Sequence, residues 1–298
     1  MITGSSYGFN DPNVVSSDGT HVWVGNGNSV TELNAATGAL VRVITGSSDG
    51  FNSPEGISAD GTHVWVTNEL GDSVTELNAA TGALVKVIKG SSYGFNNPVG
   101  VSSDGTHVWV TNTDGNSVTE LDAGTGALVR VITRSSYRFN LPFGVSSDGT
   151  HVWVTNELGH SVTELDAATG ALVKVIKGSS YGFNNPVGVS DGTHVWVTNE
   201  LGHSVTELNA ATGALVKVIK GSSYGFNNPL GVSSDGTHVW VTNRDGNSVT
   251  ELNAATGALV KLITGSSYKF DQPTTISSDG MNVWVANFGD QSVTGFPA

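Results

Sequence analysis

The seven tryptophans of this 298-residue chain stand at positions 23, 65, 109, 153, 196, 240 and 284, at intervals of 42, 44, 44, 43, 44 and 44. A rare residue returning at a near-constant interval marks a tandem repeat, and a repeat of this length restricts the chain to an array of like units packed side by side. The third copy runs from Asn97 to Ile132. Both short intervals have simple causes. Two residues are absent between Val24 and Ser29, and one serine precedes Asp191 where the copy before has Ser146 and Ser147.

Each unit reads as four strands. Val-Gly-Val-Ser-Ser leads through Asp-Gly, a two-residue hairpin signal, into His-Val-Trp-Val-Thr. A loop ending in Gly-x-Ser leads to Ser-Val-Thr-Glu-Leu, and Asn-Ala-Ala-Thr-Gly-Ala turns the chain into Leu-Val-Lys-Val-Ile. These are strands A to D. No stretch of ten or more residues shows the 3.6-residue period of an amphipathic helix, so the chain is expected to be all β.

Four antiparallel strands every 40 to 45 residues, seven times over, predict a closed seven-bladed β-propeller. One domain spans 1–298, with blades near 13–46, 55–90, 99–134, 143–178, 187–221, 230–265 and 274–298 plus 1–4. Met1 to Gly4 align with the end of strand D, while the last copy stops after Ser292-Val293-Thr294-Gly295-Phe296 on strand C. The N-terminal strand is therefore expected to complete the last blade and remove an exposed edge.

Charged residues make up 13% of the chain, and 13 basic against 26 acidic side chains give a formal net charge of −13. Such a charge opposes binding to nucleic acid, whose affinity comes mainly from phosphate neutralisation. No apolar run approaches the roughly 18 residues of a membrane-spanning helix, so no membrane insertion is expected. Residues 1–25 lack the basic and apolar regions of a signal peptide. The localisation stays open, a secreted or cell-surface parent included. With no cysteine, disulfides and thiol chemistry are excluded.

The run Val-Trp-Val-Thr-Asn, followed by Ser-Val-Thr-Glu-Leu-Asn-Ala-Ala-Thr-Gly, resembles the YVTN family of bacterial propeller repeats, with Trp where that family usually has Tyr. Pro-x-Gly-Val-Ser-Ser-Asp-Gly-Thr is similar to NHL repeats and to the blades of virginiamycin B lyase. The resemblance covers the whole chain and implies blade architecture. It carries no chemistry, because one fold hosts binding modules and enzymes alike.

Most candidate residues disappear into the repeat. Seven phenylalanines, all six tyrosines and half of the acids occupy fixed positions. Six histidines precede each tryptophan by two residues and are expected to pack against a neighbouring blade near the A–B turn. Two histidines break the pattern. His160 and His203 lie in B–C loops with Glu157 and Glu200, a set with the donors for a divalent cation or for acid–base work.

What remains is where the copies disagree. After each loop proline come Asn13, Glu55, Val99, Phe143, Val187, Leu230 and Thr274, which are expected to ring the channel mouth. Glu69, Asp72, Thr113, Asp114, Arg244, Asp245, Phe288 and Asp290 join them from the B–C loops. The expected function is a monomeric, non-catalytic scaffold presenting its B–C and D–A loops to a protein or glycan partner, without a cofactor. The alternatives are a metal-assisted lyase or hydrolase at the channel mouth, and an engineered or structural repeat array with no ligand. In the fifth blade, the lost serine is expected to alter the geometry at Ser190 and Asp191 while Trp196 keeps its place.

Overall fold

A computed structural model describes residues 1–190 and 192–298. Six four-stranded antiparallel sheets and one three-stranded sheet form the blades. In blade three, strand A is Pro98–Ser103, B is His107–Asn112, C is Ser117–Asp122 and D is Leu128–Ile132. Helix is confined, among the described residues, to single 3₁₀ turns such as Ser91–Tyr93 in the D–A loop. The strands of the seventh blade are Pro273–Ser278, Asn282–Asn287 and Ser292–Pro297. Ile2 supplies the fourth: its N–H donates to the Val293 carbonyl at 2.7 Å and its carbonyl accepts from the Val293 N–H at 3.1 Å. Val30 and Ile44 hold the same register in blade one, so the seventh blade is closed in the register of its siblings. Innermost strands touch in sequence around the ring, and Val14–Ser17 packs against Pro273–Ser278 to close it.

The core lies between blades, because a four-stranded sheet has two apolar faces and no core of its own. Trp109, Val118 and Ile132 of blade three pack with Val145, Val152, Val154 and Leu165 of blade four. The closing interface repeats this arrangement, with Trp284 and Val293 against Val15, Val22, Val24 and Leu33. Truncating one of these buried indoles to alanine is expected to cost about 3 to 5 kcal/mol. Tyr93 and Phe95 stack at 5.5 Å and cover the rim of the same layer.

The A–B turn differs from the Asp-Gly loop expected. Asp104 pairs through its N–H with the His107 carbonyl at 3.1 Å, so Gly105 and Thr106 are the central residues. The Asp104 carboxylate instead accepts the N–H groups of Thr106 at 2.9 Å and His107 at 2.7 Å. A carboxylate held by backbone donors sets the turn from outside it.

Blade five keeps its register despite the missing serine. Val189 faces Val197 and Ser190 faces Trp196, as Val145 faces Val154 and Ser146 faces Trp153. Trp196 stays buried. The faces of strand A are not exchanged, because the missing residue falls after Ser190, at the turn. Asp191 lies outside the described residues. Gly192 beyond it has φ 151°, against 81–86° at the equivalent glycines.

Candidate functional site at the channel mouth

In blades two to seven strand A begins at a proline, which needs no ladder donor in the first position of a strand, and in blade one Pro12 lies two residues before the strand start at Val14. The residue after the proline enters the channel. In blades two to six a glycine follows, at positions 56, 100, 144, 188 and 231. A Cβ on Gly100 would lie 2.4 Å from the Phe143 carbonyl oxygen of the next blade, and one on Gly56 2.2 Å from that of Val99. Such backbone approach admits only glycine. A strand B threonine uses the same contact: Thr111 Oγ1 accepts the Gly100 N–H at 2.8 Å and donates to the Phe143 carbonyl at 2.6 Å. Thr67, Thr155, Thr198 and Thr242 donate likewise to Val99, Val187, Leu230 and Thr274.

The two blades at the closure depart from this scheme. Blade one has Val14 with Gly25 in place of glycine with threonine. A Cβ on Gly25 would meet the Val14 side chain at 2.5 Å, so the valine fills the space of the absent threonine. Blade seven has Thr275 with Ala286. There both Thr274 and Thr275 donate to the Asn13 carbonyl, at 2.8 and 3.0 Å.

This wall encloses an axial cavity of about 440 Å³ lined by all seven predicted entry residues, Asn13, Glu55, Val99, Phe143, Val187, Leu230 and Thr274. Val99, Phe143, Val187 and Leu230 form a continuous apolar arc, and Thr274, Asn13 and Glu55 form the polar remainder. Glu157, Glu200 and Arg244 of the B–C loops also line it. Glu55 is the notable charge. Its carboxylate accepts from Asn13 Nδ2. Burial, reinforced by the negative charge of Glu69, pushes its pKa up to about 7 against the pull of hydrogen bonds from Asn13 and Ser53. Arg244 lies over the Phe288 ring, 5.9 Å from its centre.

The two exceptional histidines hold loops together. Nδ1 of His160 accepts the Asn185 N–H at 3.2 Å, and Nδ1 of His203 accepts that of Asn228 at 3.3 Å. In the siblings, Asp72, Asn116 and Asn247 accept the corresponding N–H of the next loop at 2.8 to 2.9 Å. All five residues have φ between 44° and 47°. An imidazole accepting at Nδ1 carries its neutral-form proton on Nε2, so metal ligation by either nitrogen would displace a proton or the loop bond. Glu200 in turn accepts from Asn185 Nδ2. No group of three or more His, Asp or Glu side chains among the described residues is placed to hold a metal.

The six periodic histidines join groups within their own blade. His107 Nδ1 lies 3.6 Å from Asp104, Nε2 lies 3.9 Å from Glu120, and the ring packs on Trp109. At the same position of blade seven, Asn282 Nδ2 donates to the Ala35 carbonyl of blade one at 3.3 Å. Arg130 Nε holds Glu120 at 2.9 Å and its guanidinium donates to the Thr169 carbonyl of blade four. Burial raises the Glu120 pKa despite Arg130 and His107. The strand C glutamates are therefore structural ties between the turn, the outer strand and the next blade. Nothing in one copy read alone reveals this; the signal is the fixed Asp, His, Glu and Lys or Arg set across copies.

A family model described as lactonase, 7-bladed β-propeller, matches residues 51–190. Among solved structures, Kuenenia stuttgartiensis hydrazine synthase is similar at TM-score 0.77 and 21% identity, over 97% of this chain and 96% of that one. A streptogramin B lyase structure is similar at TM-score 0.75 and 16% identity, over 96% and 93%. Virginiamycin B lyase from Staphylococcus aureus is similar at TM-score 0.74 and 18% identity, over 96% and 94%. At these identities the likeness is one of fold. No curated protein matches the chain by sequence.

Proposed function

We propose that this seven-bladed propeller is a non-catalytic, monomeric binding module whose axial cavity receives one group of a protein or glycan partner. The observation that supports this most directly is the division of the cavity wall. Four successive blades offer apolar side chains and three offer Thr274, Asn13 and Glu55, a surface that orients a ligand with one apolar and one hydrogen-bonding side. The threonine ties keep the wall preformed, which lowers the ordering cost of binding. His160 and His203, the two exceptional histidines, each already hold the next loop through Nδ1, which supports a binding role over acid–base work.

Defined oligosaccharide and peptide panels, screened with the chain immobilised, test this reading. Ligands retained by the parent chain and lost on Phe143→Ala are expected. The enzyme alternative draws on the likeness to a lactonase family model and to lyase structures. Turnover of a simple lactone, with or without a divalent cation, that disappears on Glu55→Gln would overturn the binding reading.

A further inference from the structure

The loop from blade three to blade four carries two cationic side chains at positions where the loop from blade six to blade seven carries one, Lys269, and the other loops carry none. Where they carry Gly90 and Gly94, Gly178 and Gly182, or Gly221 and Gly225, this loop carries Arg134 and Arg138. Arg138 keeps the left-handed backbone of the glycines it replaces, with φ 56° against 65–66°, a conformation that disfavours a side chain. Arg134 abandons it, with φ −66° against 122–125°. Both side chains are exposed. Arg130 and Lys174 on nearby strands each pair with a strand C glutamate, whereas Arg134 and Arg138 pair with no carboxylate among the described residues.

The two arginines line one groove of about 480 Å³ together with Lys177 from strand D of blade four. Not one aspartate or glutamate lines it, in a chain with 26 of them. Three unpaired cations converging in an acidic protein define a local field opposite to that of the whole molecule. We infer that this groove binds an anionic glycan, a carboxylated or sulfated oligosaccharide, at a site separate from the axial cavity. The rest of the lining, which is uncharged, favours a sugar over an acidic peptide. Thr133, Ser135, Asn140 and Ser161 offer hydroxyls and an amide, which donate and accept in turn and so match sugar hydroxyls. Asn116 joins them; its Oδ1 already accepts the Leu141 N–H at 2.8 Å, leaving the Nδ2 donors for a ligand. The guanidinium groups pair bidentately with carboxylate or sulfate. The inference does not depend on what the axial cavity binds.

The test titrates the full chain at 0.15 M salt, where distant acids are screened beyond a Debye length of about 8 Å. The probes are a galacturonate hexamer, a dextran sulfate oligomer, maltohexaose and a hexaglutamate peptide. Either anionic glycan is expected to bind, maltohexaose is not, and the stronger of the two assigns carboxylate or sulfate. Arg134→Gly with Arg138→Gly restores the sibling sequence, so the fold is expected to survive with an unchanged or higher melting temperature. It should weaken binding about tenfold or more, given loss of two charge-assisted contacts. Unchanged affinity in that double variant, tighter binding of hexaglutamate, or no heat with either anionic glycan would overturn the proposal. Binding lost in Phe143→Ala but kept in the double variant would place the anion in the axial cavity, overturning the groove while sparing the module reading.

Discussion

Thr111 Oγ1 donates to the Phe143 carbonyl oxygen at 2.6 Å, and this contact between residues 32 apart fixes the distance between two blades at the channel wall. The same hydroxyl accepts the Gly100 N–H, so one side chain satisfies a donor of its own blade and an acceptor of the next. Threonine supplies both functions; valine, of nearly the same shape, supplies neither.

Thr111→Val should therefore destabilise the protein by about 1 to 3 kcal/mol, the cost of leaving buried polar groups unpaired. Gly100→Val should cost more, since its Cβ would meet the Phe143 carbonyl. Combining Gly100→Val with Thr111→Gly rebuilds the Val14 and Gly25 pair of blade one, and the double variant should be less destabilised than the sum of its parts. Denaturant melts of the two single variants and the double variant check this, and strict additivity would contradict it.

Glu55 should make stability fall with pH. Its pKa is raised in the folded protein from an ordinary 4.5 to about 7, so folding favours the protonated form. The contribution is complete below pH 4.5 and is lost as pH rises through 7. Glu55→Gln should remove this dependence and raise stability at pH 8 by about 1 to 2 kcal/mol, allowing for partial solvent screening. Melting curves between pH 4.5 and 8.5 for parent and variant measure it. Parallel curves would show that the carboxyl is not protonated at neutrality.

His160 is interchangeable with the asparagine of its siblings if its task is to accept a loop N–H. His160→Asn should change stability by less than about 0.5 kcal/mol, and His160→Ala should cost about 1 kcal/mol for the lost hydrogen bond. Calorimetry with zinc, manganese, magnesium and calcium should show no binding. A metal-dependent rise in melting temperature, abolished by His160→Asn, would restore the metal reading of Glu157, His160, Glu200 and His203.

The serine missing from blade five interrupts a belt of hydroxyls. Ser147 Oγ donates to Asp104 at 2.9 Å, and Ser103 Oγ to Asp60 at 2.7 Å. Asp148 faces the blade without that serine, and its side chain is 28% exposed, against 4% for Asp104. Inserting serine after Ser190 should re-cover Asp148 and be neutral or stabilising by up to about 1 kcal/mol. A loss of several kcal/mol would mean that the shorter turn is required by the blade as it stands.

The division between what was legible in the chain and what was not follows the range of the interactions. Strand order, blade number, buried tryptophans and the ring of entry residues were legible, because each arises from a pattern inside one copy and from the repetition of that copy. The closing role of Ile2 was legible too, since its alignment with Ile44 states which strand is missing. Residues that act across blades were opaque. In sequence His160 shows only its donor atoms; that it accepts a loop N–H is invisible there, because that N–H belongs to Asn185, 25 residues on. The strand C glutamates look periodic and inert, yet five of the six tie a histidine to a lysine or arginine, and Glu251 meets His238. The pairs Val14 with Gly25 and Thr275 with Ala286 read as drift until the blades are stacked, when Val14 proves to fill the space over Gly25 and Thr275 to donate to the Asn13 carbonyl of the next blade. Periodicity records which face of a strand is buried; only the packed ring decides which atom of the next blade lies opposite, and at hydrogen-bond distances that atom determines which residue the site accepts.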